Sequence, residues 1–148
     1  AFNELITDSA AGATAFACGV KTFNSAVGLN SDTLPCRTIL EEADANGLAT
    51  GLVATSTIVH ATPAAFIAHQ DLRINYEDIA ADFLKTEIDL FIGGGKCYFD
   101  RRETDNRNLV KELIKKGYNV YDYFSHELNR IYFDPKQNFA YSTIKALR

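Results

Sequence analysis

Short runs of strand-forming residues alternate with helix-period segments along most of this chain, and that alternation limits the fold more than any other feature. Ala49 to Thr55 is rich in Leu, Val and Thr and reads as a buried strand. Asp89-Leu90-Phe91-Ile92, closed by Gly93-Gly94-Gly95, reads as another, and Tyr118-Asn119-Val120 as a third. Leu5-Ile6-Thr7 reads as the end of a short strand near the start. Between these runs lie helical stretches. Ser9 to Val20 is made largely of small residues, and its two glycines suggest close backbone approach. Thr38 to Ala43 follows Pro35 and stops at Asn46-Gly47. A helix can open at Pro63 with Thr62 as its cap. Tyr76 to Lys85 repeats Ile79, Ala80, Phe83 and Leu84 at helical spacing, and Asn108 to Lys116 places Leu109, Val110, Leu113 and Ile114 on one face before Gly117. Strands alternating with helices of this length imply right-handed crossovers and a doubly wound parallel sheet covered on both faces. The expected class is α/β. Past Ile131 the rhythm breaks down, with Phe139 to Leu147 as a candidate short helix.

No Pro- or Ser-rich linker divides the 148 residues, so residues 1–148 read as a single α/β domain. The net charge of −4 argues against nucleic acid or an anionic membrane as the main partner. An anionic substrate would need a local positive centre. No apolar run approaches the length of a membrane span, and no signal segment opens the chain. Its abrupt opening at Ala1-Phe2-Asn3-Glu4 suggests a processed or trimmed start. Cys18, Cys36 and Cys97 are widely spaced, with no CxxC pairing, and read as buried free thiols, with one disulfide as the alternative.

Two segments carry chemistry. In Thr7-Asp8-Ser9-Ala10-Ala11-Gly12-Ala13-Thr14, Ser9 lies at the first turn of a helix, where unpaired N–H groups and the helix dipole favour an anion beside its hydroxyl. The bland alternative is an N-cap serine. Thr7 and Ala11 stand where a nucleophile elbow needs glycine. Gly93-Gly94-Gly95-Lys96-Cys97 lacks the upstream Gly and the following Ser or Thr of a P-loop, and reads as a strand-to-loop turn. The second segment runs from His60 to His69, with Arg73 shortly after. It follows a strand, and ligand sites gather at the carboxyl edge of parallel strands. The Thr62 hydroxyl suits a hard cation, and Arg73 could grip phosphate bidentately.

Asp8 to Thr14, followed by Gly19-Val20-Lys21-Thr22, closely resembles the nucleophile signature of the alkaline phosphatases. Thr38 to Glu41, Gly47 to Gly51, His60 to His69, Arg73 and Asp89 to Gly95 resemble successive landmarks of that family, in order. The resemblance spans about Asn3 to Val120. It implies an alkaline-phosphatase-like sandwich, incomplete in this chain, and metal-dependent hydrolysis of small-molecule phosphate monoesters. By that resemblance Ser9 attacks phosphorus and becomes phosphoserine, its oxygen held by a zinc ion that lowers the hydroxyl's pKa. Arg73 binds two phosphate oxygens, and Asp8 orients Arg73. Thr62 is a ligand of a magnesium site, and His60 stands close to magnesium, where members carry Asp or His. Family members hold two zincs and a magnesium through further Asp, Glu and His residues, one ahead of the nucleophile and most far downstream. Those motifs are missing here, so the chain reads as the nucleophile-bearing fragment of a periplasmic or secreted homodimer, inactive and without tight metal on its own. The alternatives are a related phosphodiesterase or sulfatase, or a non-catalytic anion-binding α/β fragment. Sulfatases need Pro and Arg after the nucleophile, where this chain has Ala10-Ala11.

Overall fold

The computed structural model describes residues 1–2 and 4–143. Helix α1 (Ser9–Cys18) and helix α2 (Ile39–Ala45) lead into strand β1 (Gly51–Thr57). Helices α3 (Ala61–Ala64) and α4 (Tyr76–Asp82) follow, then β2 (Leu90–Gly94), α5 (Cys97–Asp100), α6 (Leu109–Lys115) and β3 (Asn119–Asp122). A 3₁₀ turn at Leu128–Arg130 precedes β4 (Phe139–Ser142). The strands form one parallel sheet in the order β1-β2-β4-β3, with Gly51 opposite Leu90, and Phe139 opposite both Leu90 and Asn119. The parallel α/β expectation holds among these residues.

Four local readings need correction. Leu5-Ile6-Thr7 is not a strand: Leu5 and Ile6 are exposed bends, so their β propensity has no ladder to act through. β1 is an edge strand rather than a buried one, and Val53 is 70% exposed. Phe139–Ser142 is strand β4 rather than helix, because the slot between β2 and β3 supplies hydrogen bonds on both sides. The rest of that expected helix, from residue 144, lies outside the described residues. Finally, Cys18 and Cys36 form a disulfide, with Cα atoms 6.0 Å apart, in place of free thiols.

The core is aromatic on the sheet side. Phe83, fully buried, packs its ring 5.0 Å from Phe91 and 6.0 Å from Phe99, centroid to centroid. Tyr118 closes this cluster and donates to the Ile88 carbonyl at 2.5 Å, and burial pushes its hydroxyl pKa up to about 12. The other packing surface is made of small residues. Ala10, Ala13 and Ala17 of α1 and Ala61, Ala64, Ala65 and Ala68 in and after α3 are all buried, which lets these two backbones approach closely. Within α1, Gly12 does not mark a close contact, since a methyl there would meet only Thr7 at 3.8 Å. Gly19 ends the helix as its left-handed cap.

Candidate active site

The start of α1 is built by Asp8, which caps the helix while Ser9 takes the first helical position. Asp8 Oδ1 accepts the Ala11 N–H at 2.9 Å, and Oδ2 accepts the Ser25 N–H at 3.0 Å. Asn24 completes the corner: its Oδ1 accepts the Asp8 N–H at 2.9 Å, and its amide donates to the Ile6 carbonyl at 2.9 Å. Ser25 sits at φ 72°, a left-handed backbone that turns its N–H toward Asp8.

Arg73 arrives from the other side. Its own N–H donates to the Ser25 carbonyl at 2.8 Å, so one residue positions both partners of an ion pair. Arg73 Nη1 donates to Ser9 Oγ at 2.7 Å and to Asp8 Oδ2 at 3.2 Å. Nη2 lies 3.2 Å from His60 Nε2. A guanidinium can only donate, so His60 accepts there and carries its single proton on Nδ1. Burial, then the neighbouring Arg73 charge, holds the His60 pKa below its ordinary value. Burial opposes ionisation of Asp8, but the Ala11, Ser25 and Arg73 donors outweigh it and lower its pKa. The net arrangement is a hydroxyl at a helix N-terminus, touched by a cation that a carboxylate orients. It can bind an anion and present an oxygen to it.

The structure thus gathers Ser9, Asp8, Arg73 and His60 into one network. Thr62 is exposed on the first turn of α3, in an open hollow that His60 also lines. It does not cap that helix; His60 is the capping position, and Thr62 and Pro63 are already inside the turn. Among the described residues, no group of three or more His, Cys, Asp or Glu converges to hold a metal ion. Lys96, after the glycine run, is taken by Asp122 at 2.7 Å and Asp100 at 3.3 Å. Sequence reasoning missed Asn24, whose side chain ties Asp8 to Ile6, and Ser25, which acts through its backbone N–H and carbonyl and so leaves no residue-type signal.

The model of the alkaline phosphatase family matches residues 1–143 of this chain. The chain belongs to the alkaline phosphatase family. Alkaline phosphatase 3 of Bacillus subtilis (strain 168) is 48% identical over 123 residues, covering 79% of this chain and 26% of the relative. The alkaline phosphatase of the Antarctic bacterium TAB5 superposes with a TM-score of 0.88 at 36% identity, covering 99% of this chain and 42% of that one. Two variants of the same Antarctic enzyme, with a histidine changed to glutamate or aspartate and Mg bound in the M3 site, give 0.85 at 35% identity over 97% of this chain and 41% of theirs. The chain therefore spans between a quarter and two-fifths of the length of these alkaline phosphatases. No helix among its described residues is long and apolar enough to cross a membrane.

Proposed function

We propose that this chain is the nucleophile-bearing part of a metal-dependent phosphomonoesterase that works through a phosphoserine on Ser9. The observation that carries this reading is the 2.7 Å contact between Arg73 Nη1 and Ser9 Oγ, with Asp8 fixing the guanidinium from behind. Arg73 binds two phosphate oxygens through its fork and holds phosphorus next to Ser9 Oγ. The first N–H groups of α1 add partial positive charge on the same side. Ser9 gives up its hydroxyl proton to solvent as Oγ attacks phosphorus. The bond to the leaving group breaks, and its oxygen takes a proton from water to leave as the alcohol. A second water later attacks the phosphoserine, releasing phosphate and restoring the Ser9 hydroxyl. Arg73 stabilises the charge that builds on the equatorial oxygens during both steps. His60, neutral, leaves the cationic character of the pocket to Arg73.

The described residues do not fit a metal site by themselves. A catalytic zinc needs about three protein ligands, and this chain brings a hydroxyl at Ser9, a hydroxyl at Thr62 and the His60 imidazole. In the full-length enzyme, two zincs and a magnesium would need most of their ligands from parts of the protein outside these residues and would supply a lowered pKa for the Ser9 hydroxyl. His60 and the Thr62 hydroxyl would stand beside the magnesium in that enzyme; in the Antarctic relative, variants with a histidine changed to glutamate or aspartate hold Mg in the M3 site. The isolated 148-residue chain, as one part of a larger domain, has no sustained turnover. Its substrates in the full-length homodimer are small phosphate monoesters, not nucleic acid or lipid surfaces. A periplasmic or secreted location is supported by the Cys18–Cys36 disulfide, which persists in oxidising compartments.

The test is to trap labelled phosphate on the full-length enzyme at low pH and map the modified peptide. The label is expected on Ser9 and lost in Ser9→Ala together with turnover of p-nitrophenyl phosphate. A label on any other residue overturns the assignment.

A further inference from the structure

The phosphatase reading leaves one histidine of the His60 to His69 segment unused. His69 Nδ1 lies 2.7 Å from the Gly28 carbonyl oxygen, and Nε2 lies 2.9 Å from Glu41 Oε1. A carbonyl and a carboxylate only accept, so both ring nitrogens have to donate. Neutral imidazole has one N–H and imidazolium has two. Glu41 is held as a carboxylate: its Oε2 accepts the Thr38 N–H at 2.8 Å in the capping box of α2, at a helix N-terminus that favours negative charge. The other charges facing the ring leave an acidic excess. Asp82 of α4 accepts the His69 backbone N–H at 3.0 Å and pairs with Lys85 at 2.6 Å. Arg37 pairs with Glu42 at 2.7 Å, and Asp44 lines the same hollow. His60, facing a guanidinium, is the opposite case.

We propose that His69 is an imidazolium that acts as a positioning residue, locking Gly28 to Glu41 and so holding the segment that carries Arg73. Gly28 is where the tie is made. Its N–H donates to buried Thr14 Oγ1 of α1 at 3.0 Å, and its carbonyl also accepts the Cys36 N–H at 3.0 Å. It has φ +61°, and a Cβ there would come within 2.1 Å of the Ala68 carbonyl oxygen, so only glycine allows the approach. Val27 and Gln70 then exchange both backbone hydrogen bonds at 2.9 Å, and the Arg73 N–H reaches Ser25 at 2.8 Å. The charge on His69 therefore lies at the head of a short ladder that ends at the Ser9 corner. Its role toward catalysis rests on the phosphatase reading; its charge state and its hold on the ladder do not.

The experiment uses the whole 148-residue chain, labelled with ¹⁵N, at pH 7. Long-range ¹H–¹⁵N correlation is expected to show protons on both ring nitrogens of His69. In Glu41→Gln the side-chain amide can donate to Nε2, so a single ring proton on Nδ1 is expected. One protonated nitrogen in the unmodified chain overturns the proposal. Amide exchange then reads the positioning. His69→Leu is expected to speed exchange at Gln70 and Arg73 at least about tenfold while leaving Ile92 of β2 unchanged. No increase, or an equal increase at Ile92, overturns it. If that variant does not fold, the ring-proton measurement still decides. Neither readout involves turnover, so failure of the phosphatase assignment and failure of this one are separate results.

Discussion

Around Ser9, geometry is fixed by polar groups that bridge distant segments; around Phe91 it is fixed by rings packed together in a buried core. Asp8 and Arg73 are 65 residues apart, and Gly28 and His69 are 41 apart, yet each pair is joined by directed hydrogen bonds. Phe83, Phe91, Phe99 and Tyr118 instead make contacts that depend on volume and area. The difference follows from what each region has to hold. A hydroxyl and a guanidinium must meet within tenths of an ångström, and directional bonds do that better than apolar packing. Apolar burial supplies the larger stabilisation that keeps the directional bonds in place.

The largest effect expected from this contrast is in the aromatic core. Phe83→Ala removes a fully buried ring and leaves a cavity between Phe91 and Phe99, at a cost of about 3–5 kcal/mol. Urea unfolding of the chain measures it. If the cost is under about 1 kcal/mol, the core is relaxing around the cavity and the division of labour drawn above fails.

The disulfide comes next, and it sharpens the comparison because it lies wholly in the site-bearing region. Cys18 and Cys36 are 18 residues apart, and a loop of that size contributes about 3 kcal/mol through the unfolded chain. Cys18→Ser with Cys36→Ser should lower stability by that order. Amide exchange should rise first in the Ser25–Gly28 loop, which Cys36 touches through Gly28, and later in β2. Earlier opening of β2 would show that the two regions are not held separately.

How much of this is legible in the sequence also differs between the regions. β2, β3 and α6 follow from local pattern: Asp89 to Ile92 is a compact β-rich run, and Leu109 and Leu113 mark a helix face. β4 does not, because Phe139–Ser142 is four residues long and becomes a strand only by filling the gap between two others. Leu5 and Ile6 show the reverse, strand-forming residues with no ladder. At the site, Asp8, Ser9, His60 and Arg73 can be named from a motif and its spacing, and the structure brings them together. Asn24, Ser25 and Gly28 cannot. Ser25 acts through its N–H and carbonyl, and Gly28 through the methyl it lacks, and such features leave little trace in residue type. The Cys18–Cys36 bridge is likewise a fact of three-dimensional proximity, since the spacing alone allows free thiols.

The smallest expected effect tests whether a polar tie in the sheet region matters as the ties near Ser9 do. Lys96 after β2 donates to Asp122 Oδ2 at the end of β3 at 2.7 Å. That bond leads a set of causes, with the Ser125 hydrogen bonds, that overcome burial and depress the Asp122 pKa to about 2. A depressed carboxylate contributes stability above its unfolded pKa, near 3.9, and loses it as pH falls toward about 2. The pair is part exposed, at 34% and 17%, so solvent screening reduces the contribution to about 1 kcal/mol. Asp122→Asn keeps an acceptor for the Phe124 and Ser125 N–H groups but removes the charge. The stability difference between the two chains should be present at pH 6, shrink between about pH 4 and 2, and vanish below that. Other carboxylates protonate over the same range in both chains, so they cancel in the difference. A gap that stays constant with pH would mean that Asp122 acts through the shape of its turn rather than its charge. Lys96–Asp122 would then be incidental to the sheet, in contrast to the Arg73–Asp8 pair that orients the guanidinium beside Ser9.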